Sequence, residues 1–307
     1  MQTTNFNITG SDKHPIPVYG WVPDTDHVCI VHVAHGMAEY ALRYASFAAF
    51  LVSNGIAVYA HDQLGHGKAV ENTDQLGITP ENWFNKQVDD LNMILLHLKI
   101  THPGKKIFLL GHSMGSFVCQ RYFQLYGNEI NGLMLSATNG KKDPLMDIGI
   151  ALAWMQKKIY GSKYRSKLIN LLSFGKFNNT FKPNRTFFDW LSRDHQAVDA
   201  YIKDPLCGFI CSAAYFYDFF RGINDCFNKK NINNIAVSVP VYAFAGDKDP
   251  VGLFGKGFIR LVEHWKAAGI KDIEYKLYKD RRHEMLNEIN HIEVKNDLIN
   301  WIFKHNK

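Results

Sequence analysis

The sequence predicts an α/β protein: a mostly parallel central sheet with helices on both faces, interrupted by a helical insertion. Three observations lead there. Short apolar runs of strand length alternate with segments whose apolar residues recur every 3.6 positions. The alternation stops near residue 139 and resumes near residue 238. Between residues 107 and 126 an apolar run, a glycine-flanked turn and a helical pattern follow one another without a spacer.

The elements follow in order. Residues 6–8 and 18–22 are extended runs bounded by Pro15, Pro17 and Pro23, and read as a short β-meander. Residues 28–34 (VCIVHVA) form a buried strand. Residues 43–53 form a helix stopped by Asn54-Gly55. Residues 56–60 make the next strand. Residues 83–100 make a helix with Val88, Leu91, Leu95 and Leu98 on one face, ended by Pro103-Gly104. Strand 107–110, helix 113–126 and strand 132–136 complete the first half. After the interruption come strand 239–245, helix 255–268, strand 273–278 and helix 292–303. Strands separated by helices pair in parallel and are covered on both faces. The expected organisation is therefore a core made of residues 1–138 and 238–307, with residues 139–237 inserted as a helical lid over the C-terminal edge of the sheet.

Composition narrows the class. Of 307 residues 46% are hydrophobic and 21% charged, ordinary values for a globular protein with a large core. The net charge of +6 is not gathered into a basic stripe interleaved with aromatics, so nucleic acid is not an expected partner. Five cysteines are an odd number and form no paired C-x-x-C set, which argues against a disulfide framework and against structural zinc. The N-terminus lacks the pattern of a secretory signal, no run of eighteen apolar residues occurs, and the cytoplasm is the expected location.

The chemistry begins at Gly111-His112-Ser113-Met114-Gly115. This G-x-S-x-G follows a short apolar strand and opens a helix. A sharp turn there pushes the serine hydroxyl outward, and the flanking glycines remove Cβ atoms that would clash. The helix beginning at Ser113 aims free N–H groups at the reacting centre and favours negative charge developing there. Ser113 is thus the expected nucleophile.

A serine hydroxyl needs a base, and the base needs an orienting carboxylate. On this kind of turn they follow in the order Ser, Asp, His. The segment Ala245-Gly246-Asp247-Lys248-Asp249-Pro250 directly follows a strand, and His283 lies between the last strand and the last helix. Asp249 is preferred as the acid, because Asp247 directly follows the turn glycine and is better placed to brace the loop. His283 is the expected base. The oxyanion of a tetrahedral intermediate needs two N–H donors. They are expected from Met114, the residue after the nucleophile, and from Met37, in the loop His35-Gly36-Met37 after the first core strand.

Competing motifs fail. His283-Glu284 begins H-E-x-x-H, but position 287 is asparagine. Gly67-Lys68 lacks the upstream glycine of a phosphate loop, and Gly252, Gly255 and Gly257 do not give a dinucleotide fingerprint after a strand. No cofactor is expected, and no metal.

The blocks His35-Gly36-Met37-Ala38-Glu39-Tyr40 with Arg43-Tyr44, His61-Asp62-Gln63-Leu64-Gly65-His66-Gly67, Gly111 to Gly115, Gly246 to Gly252, and His283 to Glu288 together span most of the chain. This constellation resembles the monoacylglycerol lipase and lysophospholipase branch of the α/β-hydrolases, the serine aminopeptidase-like hydrolases; the prolyl aminopeptidase-like members are more distant in pattern. The resemblance implies an α/β-hydrolase fold and a triad of Ser113, Asp249 and His283. It implies that Glu39 and Arg43 either hold the polar end of an ester or brace the oxyanion loop. Tyr40 and Leu286 depart from the branch, where histidines often stand.

Between residues 148 and 188 there is no Asp or Glu, while Lys157, Lys158, Lys163, Arg165, Lys167, Lys176, Lys182 and Arg185 all fall there. Ala151, Leu152, Met155 and Ile159 share a helical face beside Trp154. That face either docks on an anionic membrane surface or packs on the core. The aromatics Tyr215, Phe216, Tyr217, Phe219 and Phe220 belong either to an acyl pocket or to the core. The expected function is serine carboxylic-ester hydrolysis through an acyl-enzyme, on a small-molecule or lipid ester: monoacylglycerol, lysophospholipid or a short- to medium-chain ester. An amidase, peptidase or acyltransferase would use the same residues, and a catalytically idle ligand-binding protein is the reading from another class.

Overall fold

The computed structural model describes residues 1–140 and 145–307; residues 141–144, near the start of the expected insertion, lie outside it. Eight strands form one sheet in the order β1-β2-β4-β3-β5-β6-β7-β8. They are β1 (Gln2–Thr9), β2 (Pro15–Val22), β3 (Cys29–Ala34), β4 (Ile56–His61), β5 (Lys106–His112), β6 (Gly132–Ser136), β7 (Val241–Gly246) and β8 (Ile273–Tyr278). The pairs from β3 to β8 are parallel, whereas β1 and β2 pair antiparallel and attach to β4, so the expected meander is one edge of the main sheet.

Burial explains the apolar runs. Every residue of β3, β4, β6 and β7 is buried, because helices cover both faces. On one face lie α1 (Ala45–Val52) and α10 (His291–His305), packed through Phe47, Leu51, Leu298 and Ile302. On the other lie α2 (Trp83–Thr101), α3 (Met114–Tyr126) and α9 (Lys256–Ala267), packed through Leu91, Leu95, Val118, Phe123, Phe258 and Leu261. Alternation along β3 feeds both layers: Ile30 faces the second and Val31 the first.

The chain leaves β3 to form β4 on one side and then returns to form β5 on the other. The C-terminal ends of β3 and β5 therefore open a crevice where the winding reverses, the place where ligands bind in open α/β sheets.

Between β6 and β7 lie α4 (Met146–Tyr160), α5 (Lys167–Phe174), α6 (His195–Lys203), α7 (Ala213–Cys226) and α8 (Lys229–Ile232), with no strand among the described residues there. The aromatics of α7 belong to the core: Tyr215 and Phe219 stack with Trp83 of α2, and none of the five lines the cavity described below. The apolar face of α4 is divided, with Leu152 half-buried against the core. Its buried residues are Ala153 and Gln156, while Ile148, Met155 and Ile159 are exposed. Among the described residues, no helix is long and apolar enough to cross a membrane.

One buried carboxylate fastens the loops on which the crevice rests. Asp62, just beyond β4, accepts from Tyr19 Oη at 2.8 Å, from the Ala41 amide at 2.9 Å and from the Lys68 amide at 2.7 Å. A Cβ at Gly67 would overlap that carboxylate, so only glycine fits. Replacing Asp62 by alanine leaves three donors without their acceptor. The expected cost is about 3 kcal/mol of stability, read as a lower urea midpoint at unchanged slope.

Candidate active site

The turn between β5 and α3 holds Ser113 at φ 50° and ψ −117°, a strained backbone for a residue with a Cβ. The glycines around it are required by contact. A Cβ at Gly115 would overlap the carbonyl oxygens of Ala34 and His35 at the end of β3. One at Gly111 would come within 2.6 Å of the Gly115 carbonyl. The helix thus starts flush against the neighbouring strand, and Ser113 projects into the crevice.

His283 and Asp249 arrive from the other half of the sheet. His283 Nδ1 lies 2.9 Å from Asp249 Oδ1, and the histidine is 3% exposed. The Val251 amide donates to the same carboxylate oxygen at 2.9 Å. Asp247 acts elsewhere: it accepts from the Asp280 amide at 2.7 Å and so braces the loop leading to His283. The His283 loop is also tied to the stretch between β6 and β7. The ring of Trp190, between α5 and α6, lies 4.9 Å from the His283 ring. The Glu284 amide donates to the Leu191 carbonyl at 2.7 Å, and the His283 amide to the Trp190 carbonyl at 3.4 Å.

Charge separates His283 from the other buried histidines. Burial pushes His32 and His66 down to about 3 and His112 down to about 4, so these rings are neutral. Burial acts on His283 in the same direction. There the charge and hydrogen bond of Asp249, with the charges of Glu284 and Glu39, outweigh it and hold the pKa above the ordinary 6.5.

The loop after β3 carries the other expected donor. Three of its amides are taken, Gly36 donating to Glu39 Oε1 at 2.5 Å, Ala38 to His66 Nε2 at 3.2 Å and Ala41 to Asp62, while those of Glu39 and Tyr40 have no acceptor among the described residues. Among the described residues the Met37 amide has no acceptor. The Met114 amide, first in α3, is one of the donors that every helix start leaves unpaired. Glu39 and Arg43 form an ion pair at 2.6 Å, and Arg43 also grips Glu284 through both terminal nitrogens at 2.7 and 2.9 Å.

Ser113, His283 and Met37 line one cavity of about 500 Å3. Its far walls are apolar and come from the stretch between β6 and β7: Leu171, Phe174, Phe187, Phe188, Trp190 and Phe209 among them. These wall residues are the ones that sequence reasoning missed. The run Phe187-Phe188-Asp189-Trp190 was the available signal, lying between helices where aromatics have no periodic reason to gather.

The family model described as "Serine aminopeptidase, S33" matches residues 25–290. The chain belongs to that family. Within it, the chain is similar to the monoacylglycerol lipase of Mycolicibacterium smegmatis, 28% identical over 287 residues, covering 93% of this chain and 91% of that protein. Human monoglyceride lipase is 24% identical over 277 residues, covering 88% and 80%. Among solved structures, a thermostable carboxyl esterase from Bacillus coagulans in complex with glycerol superposes with a TM-score of 0.90 at 24% identity, covering 100% of both chains, a likeness of fold. The monoacylglycerol lipase of Paleococcus ferrophilus gives 0.69 at 25% identity, covering 94% and 99%. This member of the family is an α/β-hydrolase and a serine ester hydrolase.

The raised pKa of His283 has a direct check. A group whose pKa is raised by folding adds stability below its unfolded pKa, and that stability is lost as pH rises through the folded value. Titration followed by NMR of the ring protons is expected to place His283 above 6.5. The Asp249→Asn variant, which removes the largest stabilising charge, is expected to titrate below the wild type.

Proposed function

We propose that the protein hydrolyses monoacyl lipid esters, monoacylglycerol or lysophospholipid, and short- to medium-chain esters through a triad of Ser113, His283 and Asp249. One observation carries the reading: Ser113 and His283, the latter paired to Asp249, open on the same largely apolar cavity. A pocket of this size and lining suits an acyl chain. The likeness to monoacylglycerol lipases supports the same substrate class.

The reaction runs in two halves. His283 takes the Ser113 proton as the hydroxyl attacks the acyl carbonyl. Asp249 fixes the ring so that the other nitrogen faces the serine, and it stabilises the imidazolium that forms. The amides of Met37 and Met114 receive the oxyanion, each worth on the order of 100- to 1000-fold in turnover. The alcohol leaves with a proton from His283. Water, activated by the same ring, then releases the acid and restores Ser113.

The test is a p-nitrophenyl ester series from acetate to palmitate. Turnover is expected to rise from acetate to a medium acyl chain, and to fall by on the order of 1000-fold or more in Ser113→Ala. Ester turnover in that variant equal to the wild type refutes the assignment. Matched amides, expected to react far more slowly, separate the esterase from an amidase.

The stretch from residue 139 to 237 is proposed to act as a lid that also meets the lipid surface. Supporting this, Leu168, Leu171 and Leu172 of α5 are exposed beside the outward face of α4, and Phe187 at the cavity wall is 90% exposed. Lys158, Lys163, Lys167, Lys176 and Lys182 of the same stretch are exposed, and the sequence has no carboxylate between residues 148 and 188. Exposed apolar side chains, and lysines unpaired among the described residues, on one stretch of chain match an anionic bilayer. Sedimentation with phosphatidylglycerol vesicles is expected to pellet the protein at low salt and to fail with phosphatidylcholine alone. A Leu171→Glu, Leu172→Glu double variant is expected to remain in the supernatant.

A further inference from the structure

Arg43 joins two loops that are 241 positions apart in the chain. On one side it donates to Glu39 Oε2 at 2.6 Å. The other oxygen of Glu39 accepts from the Gly36 amide at 2.5 Å and from Tyr44 Oη at 3.0 Å. Gly36 is next to Met37, and a Cβ placed on it would sit 3.4 Å from the Ser113 Cβ. On the other side Arg43 donates twice to Glu284, the residue after His283. Asn287 completes the Glu284 shell at 2.9 Å. The guanidinium lies 4.9 Å from the Tyr201 ring of α6, whose hydroxyl donates to the Ala38 carbonyl at 3.0 Å. Glu39 and Glu284 are both buried and both line the cavity.

We infer that Arg43 and Glu284 are positioning residues for the hydrolysis: one guanidinium holds the loop bearing the Met37 amide and the loop bearing His283 at a fixed separation. The inference rests on the assignment of Ser113 and His283 made above. A planar fork suits the task, because its donors grip two carboxylates in set directions, which a lysine ammonium does not reproduce. A small displacement of an oxyanion donor or a base costs much of the rate, on the order of 100-fold for about 1 Å.

The arrangement also sets charge around the base. The groups facing His283 are Asp249 beyond β7, Glu284 on its own loop, Glu39 on the loop after β3, and His112, whose ring is 4.9 Å away at the end of β5. Arg43 stands behind both glutamates. Burial disfavours the charged form of Glu284, yet the charge and hydrogen bonds of Arg43 prevail and keep it ionised. That anion favours the imidazolium of His283. Removing it makes the ring easier to deprotonate, so activity persists to lower pH.

Two variants separate geometry from charge. Arg43→Lys keeps the cation and loses the fork. Its kcat is expected to fall on the order of 100-fold with KM changed much less and the acid limb of the kcat/KM profile nearly unmoved. Glu284→Gln keeps the shape and loses the charge. Its acid limb is expected to move to lower pH, with a smaller loss of kcat. A wild-type kcat for Arg43→Lys, or an unmoved acid limb for Glu284→Gln, overturns the inference. Thermal unfolding is read alongside, and where Arg43→Lys does not fold, the near-isosteric Glu284→Gln decides alone. A fluorophosphonate probe keeps this test distinct from the parent assignment. Wild-type protein that fails to label at Ser113 overturns the assignment itself, whereas wild-type labelling with unaffected variants overturns only the positioning role.

Discussion

The close approach of two backbones, Gly115 of α3 and the end of β3, organises the site. No Cβ fits between Gly115 and the carbonyls of Ala34 and His35. The first turn of α3 is therefore pressed against the strand from which the Met37 loop departs. That contact brings the strained Ser113 and the Met37 amide to one crevice. It also sets the start of α3, with the amides that a helix start leaves unpaired, directly after the serine. A larger residue at 115 would separate the serine from the loop before affecting any side chain.

The remaining requirement is electrostatic. The interior around the site is rich in histidine, and burial alone drives those rings to the neutral form. His283 is different because carboxylates surround it and one, Asp249, is hydrogen-bonded to it. Buried carboxylates are costly without partners. Glu39 and Glu284 share one guanidinium, which satisfies both and spans two loops with a single side chain. The placement of the loops and the raised pKa of His283 thus draw on the same few groups.

Much of the architecture was legible in sequence because parallel strands buried on both faces read as continuous apolar runs, and because their intervening helices carry a 3.6-residue period. The strands from residue 29 to 136 and from 241 to 278 fall within a few residues of their expected places. Ser113 was legible for a local reason: the elbow needs glycines at fixed offsets. Asp249 and His283 were legible through chain order and their places after strands, and the distance between them came only with the fold. The aromatics of α7 left core and pocket open, since a period of apolar residues does not say whether its partner is a helix or a ligand. They pack on Trp83. The outward face of α4 was equally unreadable, because amphipathicity states that two faces differ and not which one meets solvent.

By itself the sequence determined the strand and helix succession, the glycine-flanked serine, and the pairing of aspartate and histidine with the ends of late strands. These are local features, set by φ/ψ limits and by periodicity over a few residues. Only the tertiary structure decided which aromatic groups wall the cavity, that the Met37 amide is left without an acceptor among the described residues, and that Arg43 reaches Glu284 across 241 positions. Those outcomes depend on how separate segments are brought together by burial of the sheet's two faces, and no spacing along the chain encodes a distance across it.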